Sequence, residues 1–386
     1  MRIWFLICFS AQLTACGGCG FEAVGEATDV GGDSGSTSGT NGSTSGTTAT
    51  TSGTTGSSSA SGSTGGTTGI AIGSVTVTTL SGNGNPGDVD GSGGPNGMAE
   101  FHLPQSVAVD SQGNVYVADK FNNAIRKVVA TSGATTTFLG TNVVFPSGVA
   151  VDAQGNVYVA DNGTGQILFV SPEGSATAVF SGGNGLMGNG SLGAIVAVAV
   201  NDQGTIYFAD AEYDRIYIQA QNGTPSVLAG SGSPGDADGV GVSAEFSSPG
   251  GLALDGEGNL YVADSGNNCV RKITPDGTIT TLAGNGQQGY LDGSGGRSGT
   301  AEFNGPGGLA VDSAGNVYVA DSGNNRIRVI AADGTTTTLA GNGTAGWADG
   351  PGTTAEFNKP RDVTLVAAGS LVVADTFGEC IRSITF

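Results

Sequence analysis

The chain has 386 residues, of which 71 are Gly and only 12% are charged, with 33 Asp plus Glu against 13 Lys plus Arg. A net charge of -20 argues against a nucleic-acid backbone as partner, since that contact needs a cationic face. The lone histidine, His102, excludes any mechanism built on two imidazoles.

In chain order, residues 1–15 carry Arg2 and then an apolar run from Ile3 to Phe9, the layout of a secretory signal. The run is too short for a membrane-spanning helix, which takes roughly 20 residues. Leu13-Thr14-Ala15-Cys16 resembles the lipobox of bacterial lipoproteins. That resemblance implies lipidation of Cys16 and, with Gly17 following, delivery to the outer membrane on its periplasmic or exposed side. The competing reading is a plain secretory signal. Residues 16–69 hold the candidate lipidated Cys and a Gly/Ser/Thr-rich linker with too little apolar surface to offset backbone entropy, so disorder is expected. Such a chain spans roughly 40 Å on average, enough to hold a domain off a membrane.

From residue 70 the sequence repeats. Six copies read SVAVDSQGNVYVAD (106–119), GVAVDAQGNVYVAD (148–161), AVAVNDQGTIYFAD (197–210), GLALDGEGNLYVAD (251–264), GLAVDSAGNVYVAD (308–321) and DVTLVAAGSLVVAD (362–375). Each offers two β-branched and aromatic runs around a turn, Asp-x-x-Gly in four of the six, where Asp can bond its own backbone and Gly can take φ > 0. A third strand follows each Ala-Asp, then a Thr-rich fourth. The terminal Asp residues (Asp119, Asp161, Asp210, Asp264, Asp321, Asp375) lie 42 to 57 residues apart, room for four short strands and their loops. The sixth copy ends at Phe386 without a fourth strand, whereas Ser74–Gly82 (SVTVTTLSG) is a fourth strand without a blade. These facts predict an all-β, six-bladed β-propeller over 70–386, closed by an N-terminal strand completing the last blade. Closure leaves no open sheet edge.

The YVAD-x-x-N-N-x-I-R core, led in by AEFSSPGGLALD (244–255) and AEFNGPGGLAVD (301–312), resembles the NHL-repeat β-propellers. Blade 2 departs with Leu168 and blade 3 with Tyr217 where the others have Arg; Val366 in blade 6 predicts an irregular first turn.

Antiparallel order puts the long connections before blades 1, 4, 5 and 6 on one face, which is the expected working face. The recurring Asp and the recurring Arg (Arg126, Arg271, Arg328, Arg382) repeat with the ring, so the expectation is scaffold: Asp capping turn amides, Arg bracing strands. Phe101, Phe246, Phe303 and Phe357 are expected as plugs between blades. Asp88-Val89-Asp90-Gly91 and Asp236-Ala237-Asp238-Gly239 pair hard oxygens, so Asp88, Asp90, Asp236 and Asp238 are candidate Ca²⁺ ligands, weighed against a plain structural turn. Tyr290 and Trp347, in one register of adjacent lead-ins, are candidate partner anchors together with Arg297 and Arg361, the competing reading of the two aromatics being packing under their own loops.

No nucleophile elbow, zincin helix or phosphate loop is present in the sequence. The leading expectation is a tethered, monomeric, non-catalytic module that presents a propeller face to a protein or glycan, binds no nucleic acid and meets the membrane only through its lipid. The alternative is a metal-dependent, lactonase-like hydrolase or lyase with its site in the channel. Convergence of three or more carboxylate or Asn groups on one channel point would distinguish it.

Overall fold

A computed structural model describes residues 73–181 and 193–386, so the signal segment, Cys16 and the linker lie outside the described residues. Gly66–Phe386 forms one compact unit. Six antiparallel sheets surround a channel, and among the described residues the helical content is five one-turn 3-10 segments. Blade 1 comprises Pro104–Val109, Asn114–Asp119, Ala124–Val129 and Thr135–Leu139, from the axis outward. Blades 2 to 5 repeat this order from inner strands Pro146–Val151, Ile195–Val200, Pro249–Leu254 and Pro306–Val311.

Blade 6 supplies Pro360–Ala367, Ser370–Asp375 and Cys380–Thr385, and its outer strand is Thr76–Ser81. Thr76 pairs with Thr385, Val77 with Ile384 and Thr79 with Arg382, as the missing fourth strand requires. The six inner strands touch one another in an unbroken circle, blade 6 against blade 1 included. Blade 6 also carries the expected irregular turn: a register shift between Leu365 and Ala367, then a tight Ala368-Gly369 reversal.

The cores lie between blades. Phe246 packs with Ala197 and Ala209 of blade 3 as well as with Leu260 and Val262 of its own blade, and Phe101 meets Val372, Ala374 and Ile381 of blade 6. All four lead-in Phe side chains are fully buried, which matches their expected role as plugs.

The long lead-ins are less free than their length suggests. Gly239–Val240 adds to the outer strand of blade 4 and Gly350–Pro351 to that of blade 6. Gly91 bridges to Thr135 and Gly293 to Thr336 in the same way. Each lead-in thus covers the outer edge of its own blade, hiding hydrogen-bonding groups that would recruit another chain.

Candidate functional site

The repeat motif resolves into one hydrogen-bonded unit. In blade 5, Asp321 Oδ1 accepts from the Asn304 backbone N–H, while Oδ2 accepts from Asn324 Nδ2 and from Arg328 at 2.9 Å. Arg328 continues to the Glu302 and Leu291 carbonyls and to Asp292 Oδ1 at 2.8 Å, lying over the Phe303 ring at 5.2 Å. The same Asp–Arg–Asp chain recurs as Asp119–Arg126–Asp90, Asp264–Arg271–Asp238 and Asp375–Arg382–Asp349. Burial raises the Asp119, Asp264, Asp321 and Asp375 carboxyls, and the guanidinium and amide donors oppose it. The repeated Asp and Arg are therefore partners of each other, a link the sequence reading did not draw. Its signal was the constant seven-residue separation.

The second Asn of each motif joins the blades. Asn268 Oδ1 accepts from Gly305 N–H and Asn325 Oδ1 from Lys359 N–H, holding residues with φ of 55° and 50°. At the ring closure a carboxylate takes this place: Glu379 Oε2 accepts from Leu103 N–H at 2.6 Å.

The proposed calcium ligands fall within this network. Asp90 accepts from Arg126, Thr137 Oγ1 and Thr137 N–H, and Asp238 accepts from Arg271 and Thr281. Asp236 is ion-paired with Arg297, one of the proposed binding residues, and Asp88 is exposed. Among the described residues no group of three or more His, Cys, Asp or Glu is placed to hold a metal ion. Tyr290 and Trp347 are 59% and 47% exposed, so neither is packed under its loop. Tyr290 lies beneath the Arg326 guanidinium at 4.7 Å, and the Trp347 ring covers Gly84.

The remaining proposed residue, Arg361, leads to the channel. This cavity of about 290 Å³ is lined by all six inner strands. Along its inner strands Val107, Val149, Val198, Leu252, Leu309 and Val363 share one register. The mouth breaks the symmetry. Where blade 6 has Arg361-Asp362, blades 4 and 5 have Gly-Gly, and blades 1 to 3 have Gln105-Ser106, Ser147-Gly148 and Val196-Ala197. Among the described residues Asp362 is the one acidic side chain lining the channel. Its Oδ2 accepts from Ser106 Oγ at 2.7 Å and Val107 N–H at 3.0 Å, its Oδ1 from Val363 N–H, and Ser106 Oγ in turn accepts from Val149 N–H. Blades 6, 1 and 2 are joined through this relay. A Cβ on Gly308 would fall on Asp362 Oδ1, so glycine there makes room for the carboxylate. With no cation bonded to it, burial pushes the Asp362 carboxyl up to about 6.

A second departure sits beside the first. In four blades the residue after the terminal Asp bonds the next blade's inner strand: Asn162 to the Ile195 carbonyl, Ser265 to Pro306, Ser322 to Pro360 and Thr376 to Pro104; blade 3 has Ala211 instead. Blade 1 has Lys120 there. Its pKa is lowered by burial and by the neighbouring charge of Arg361. Around it the exposed Phe121 ring stands edge-on between His102 at 5.1 Å and the exposed Phe145 at 5.8 Å. Across the closure Lys359 lies over the exposed Phe377 ring at 5.2 Å. Sequence reasoning missed Asp362, Lys120, Phe121, Phe145 and Phe377; stacking the six copies and marking the odd residue in each column would have found the first two.

With this geometry in place, comparison with known proteins is informative. The NHL repeat model matches residues 101–127, 144–168, 246–273 and 303–330, within blades 1, 2, 4 and 5. NHL repeat-containing protein 2 of Bos taurus is 42% identical over 99 residues, 25% of this chain and 13% of that protein. The aligned part is thus about an eighth of that relative's length. Among solved structures, an auxiliary nutrient binding protein from Bacteroides ovatus superposes with a TM-score of 0.63 at 18% identity, covering 81% of this chain and 76% of that one. A gluconolactonase from Xanthomonas campestris gives 0.55 at 17%, covering 81% and 90%. At these identities the likeness is one of fold.

Proposed function

We propose that this six-bladed propeller carrying NHL repeats is a non-catalytic recognition module of the cell envelope, tethered through Cys16 and its linker and presenting the lead-in face to a protein or glycan. The observation that carries this reading is the content of the channel mouth. A metal-dependent hydrolase gathers several ligand side chains at one point, and an acid–base enzyme needs two groups of separated pKa. Here one carboxylate lines the channel, and its oxygens already accept three bonds. What the face offers outward is aromatic and cationic: Phe121, Phe145, Phe377, Tyr290 and Trp347 exposed, with Lys120, Lys359 and Arg361 among them. Aromatic anchors of this kind dominate recognition energetics. The fold likeness to auxiliary nutrient binding proteins agrees with a binding role, and the likeness to a gluconolactonase marks the alternative.

The test is a glycan and peptide array probed with the full secreted chain and with a Phe121→Ala/Phe145→Ala/Phe377→Ala variant. Specific binding that the variant loses supports the reading. Lactone hydrolysis by the purified protein, abolished by a chelator and restored by Ca²⁺, would overturn it.

A further inference from the structure

Twelve Lys and Arg side chains fall among the described residues, and ten have a partner there. Arg126, Arg271, Arg328 and Arg382 are held in the buried chains; Lys127 pairs with Asp110 and Arg297 with Asp236. Lys272, Arg326 and Lys359 lie over aromatic rings, and Arg215 donates to the Ser231 carbonyl. Lys120 and Arg361 are the two left over: Arg361 lines the channel mouth, and Lys120, in the loop after the second strand of blade 1, lies close enough to feel its charge. In a chain of net charge -20 carboxylates are abundant, yet among the described residues none forms an ion pair with either cation, the nearby Asp362 being turned to Ser106 and the Val107 and Val363 N–H groups. Two like charges held in a partly desolvated place repel each other, and an anion between them removes that cost.

We propose that Lys120 and Arg361 receive the anionic group of a small polyhydroxylated ligand, a sugar acid or sugar phosphate, whose body rests in the channel mouth. The inference rests on the binding reading above and names its ligand class. Asp362, one residue deeper, repels an anion and accepts hydroxyls, so the charged end is turned outward to the two cations. Gln105, Ser147 and Ser106 supply further hydroxyl partners on the blade 1 and 2 side. A cavity of about 290 Å³ suits one sugar unit and lies at the lower end of small-molecule sites.

Isothermal titration of the full secreted chain with glucuronate, glucose 6-phosphate and glucose tests this. At least one charged probe is expected to bind at low salt, about tenfold or more tighter than glucose, as a charge-assisted hydrogen bond implies. Which charged probe is preferred tells carboxylate from phosphate. Arg361→Gln and Lys120→Gln should each weaken that probe by about tenfold or more, and neither side chain holds a fold contact. Lys272→Gln, which removes a charge elsewhere, should change nothing. Equal affinity for all three probes, binding of none, or charged-probe affinity unchanged in both variants would overturn the proposal. An array partner retained equally by wild type and both variants would sink this inference while leaving the recognition module intact.

Discussion

Replacing Arg328 by Leu, the residue blade 2 carries as Leu168, tests whether the Asp–Arg–Asp chain holds a blade together. Arg328 and Asp321 are both fully buried and 2.9 Å apart. Removing the guanidinium leaves Asp321 with the Asn304 N–H and Asn324 Nδ2 alone, strands the Glu302 carbonyl, leaves the Leu291 carbonyl with only the Glu302 N–H and frees Asp292. Breaking a buried pair costs about 3–5 kcal/mol. The orphaned carbonyl adds about 1–3 kcal/mol where water cannot reach it. A well-placed Leu returns about 2 kcal/mol of burial. The contact to Asp292 counts for little because that carboxylate is half exposed. The net expectation is a loss of about 4 kcal/mol, read from urea unfolding followed by far-UV circular dichroism.

The decisive measurement is the sign of a second substitution. Asp321→Asn in the Arg328→Leu background removes the uncompensated charge and should restore about 2 kcal/mol, so the double variant is more stable than the single. Blade 2 shows why: there Asp161 is served by Thr164 Oγ1 and the Val144 N–H without any Arg. If Asp321→Asn destabilises further, or if Arg328→Leu costs no more than Arg297→Gln at an exposed pair, the pair is not what secures the blade.

Two further outcomes concern the channel. Gly308→Ala should destabilise by about 1–3 kcal/mol, because its Cβ displaces the Asp362 carboxylate and also crowds the Asp362 Cα; adding Asp362→Ser should recover only the part of the lost thermal midpoint that comes from the carboxylate. Asp362 itself makes stability depend on pH. Its folded pKa of about 6 lies above the roughly 3.9 of an unfolded Asp, so folding favours the protonated form, and its contribution is full below about pH 4 and lost as pH rises through about 6. Asp362→Asn removes this dependence, and its lost acceptor for the Val363 N–H is a constant offset. The stability gap should therefore move in favour of the variant between pH 4 and pH 7, by about 3 kcal/mol at most and about half that once channel water screens the charge. A gap that stays flat with pH would refute the raised pKa.

Repetition made the architecture legible. The spacing of the terminal Asp residues counted the blades, and the orphan strand at Ser74–Gly82 announced the closure seen between Val77 and Ile384. Turn chemistry was equally readable: Asp312 Oδ1 accepts from Ala314 and Asn316 N–H while Gly315 takes a φ of 82°. Side-chain pairing was not, because a repeating column shows that a residue is needed and not what it touches. Asp90 and Asp238 looked like metal ligands since their partners, Arg126 and Arg271, lie 36 and 33 residues further along. The long lead-ins looked free for the same reason, their pairing with outer strands being a tertiary event.

Repetition fails in several blades, at Leu168, Ala211 and Tyr217 among others, but its unpaired cations gather at one place. Arg361, Asp362 and Glu379 in blade 6 and His102 in the blade 1 lead-in flank the closure between the last and first blades, and the charge of Arg361 reaches Lys120 on the far side of blade 1. Exposed Phe377 lies on the blade 6 side of that closure, and exposed Phe121 faces Phe145 of the blade 2 lead-in. A closure needs the outer strand Thr76–Ser81 and the Glu379 latch; it does not need two unpartnered cations above an isolated carboxylate. In the Arg361 and Asp362 registers the other five blades carry uncharged residues, while Asp214 of blade 3 holds the Ser248 N–H as Glu379 holds the Leu103 N–H, so it is the unpaired cations and not the latch that bring no structural return. Charge kept where the scaffold does not require it is the reason the proposed recognition is assigned to this mouth, and the Arg361→Gln titration decides it.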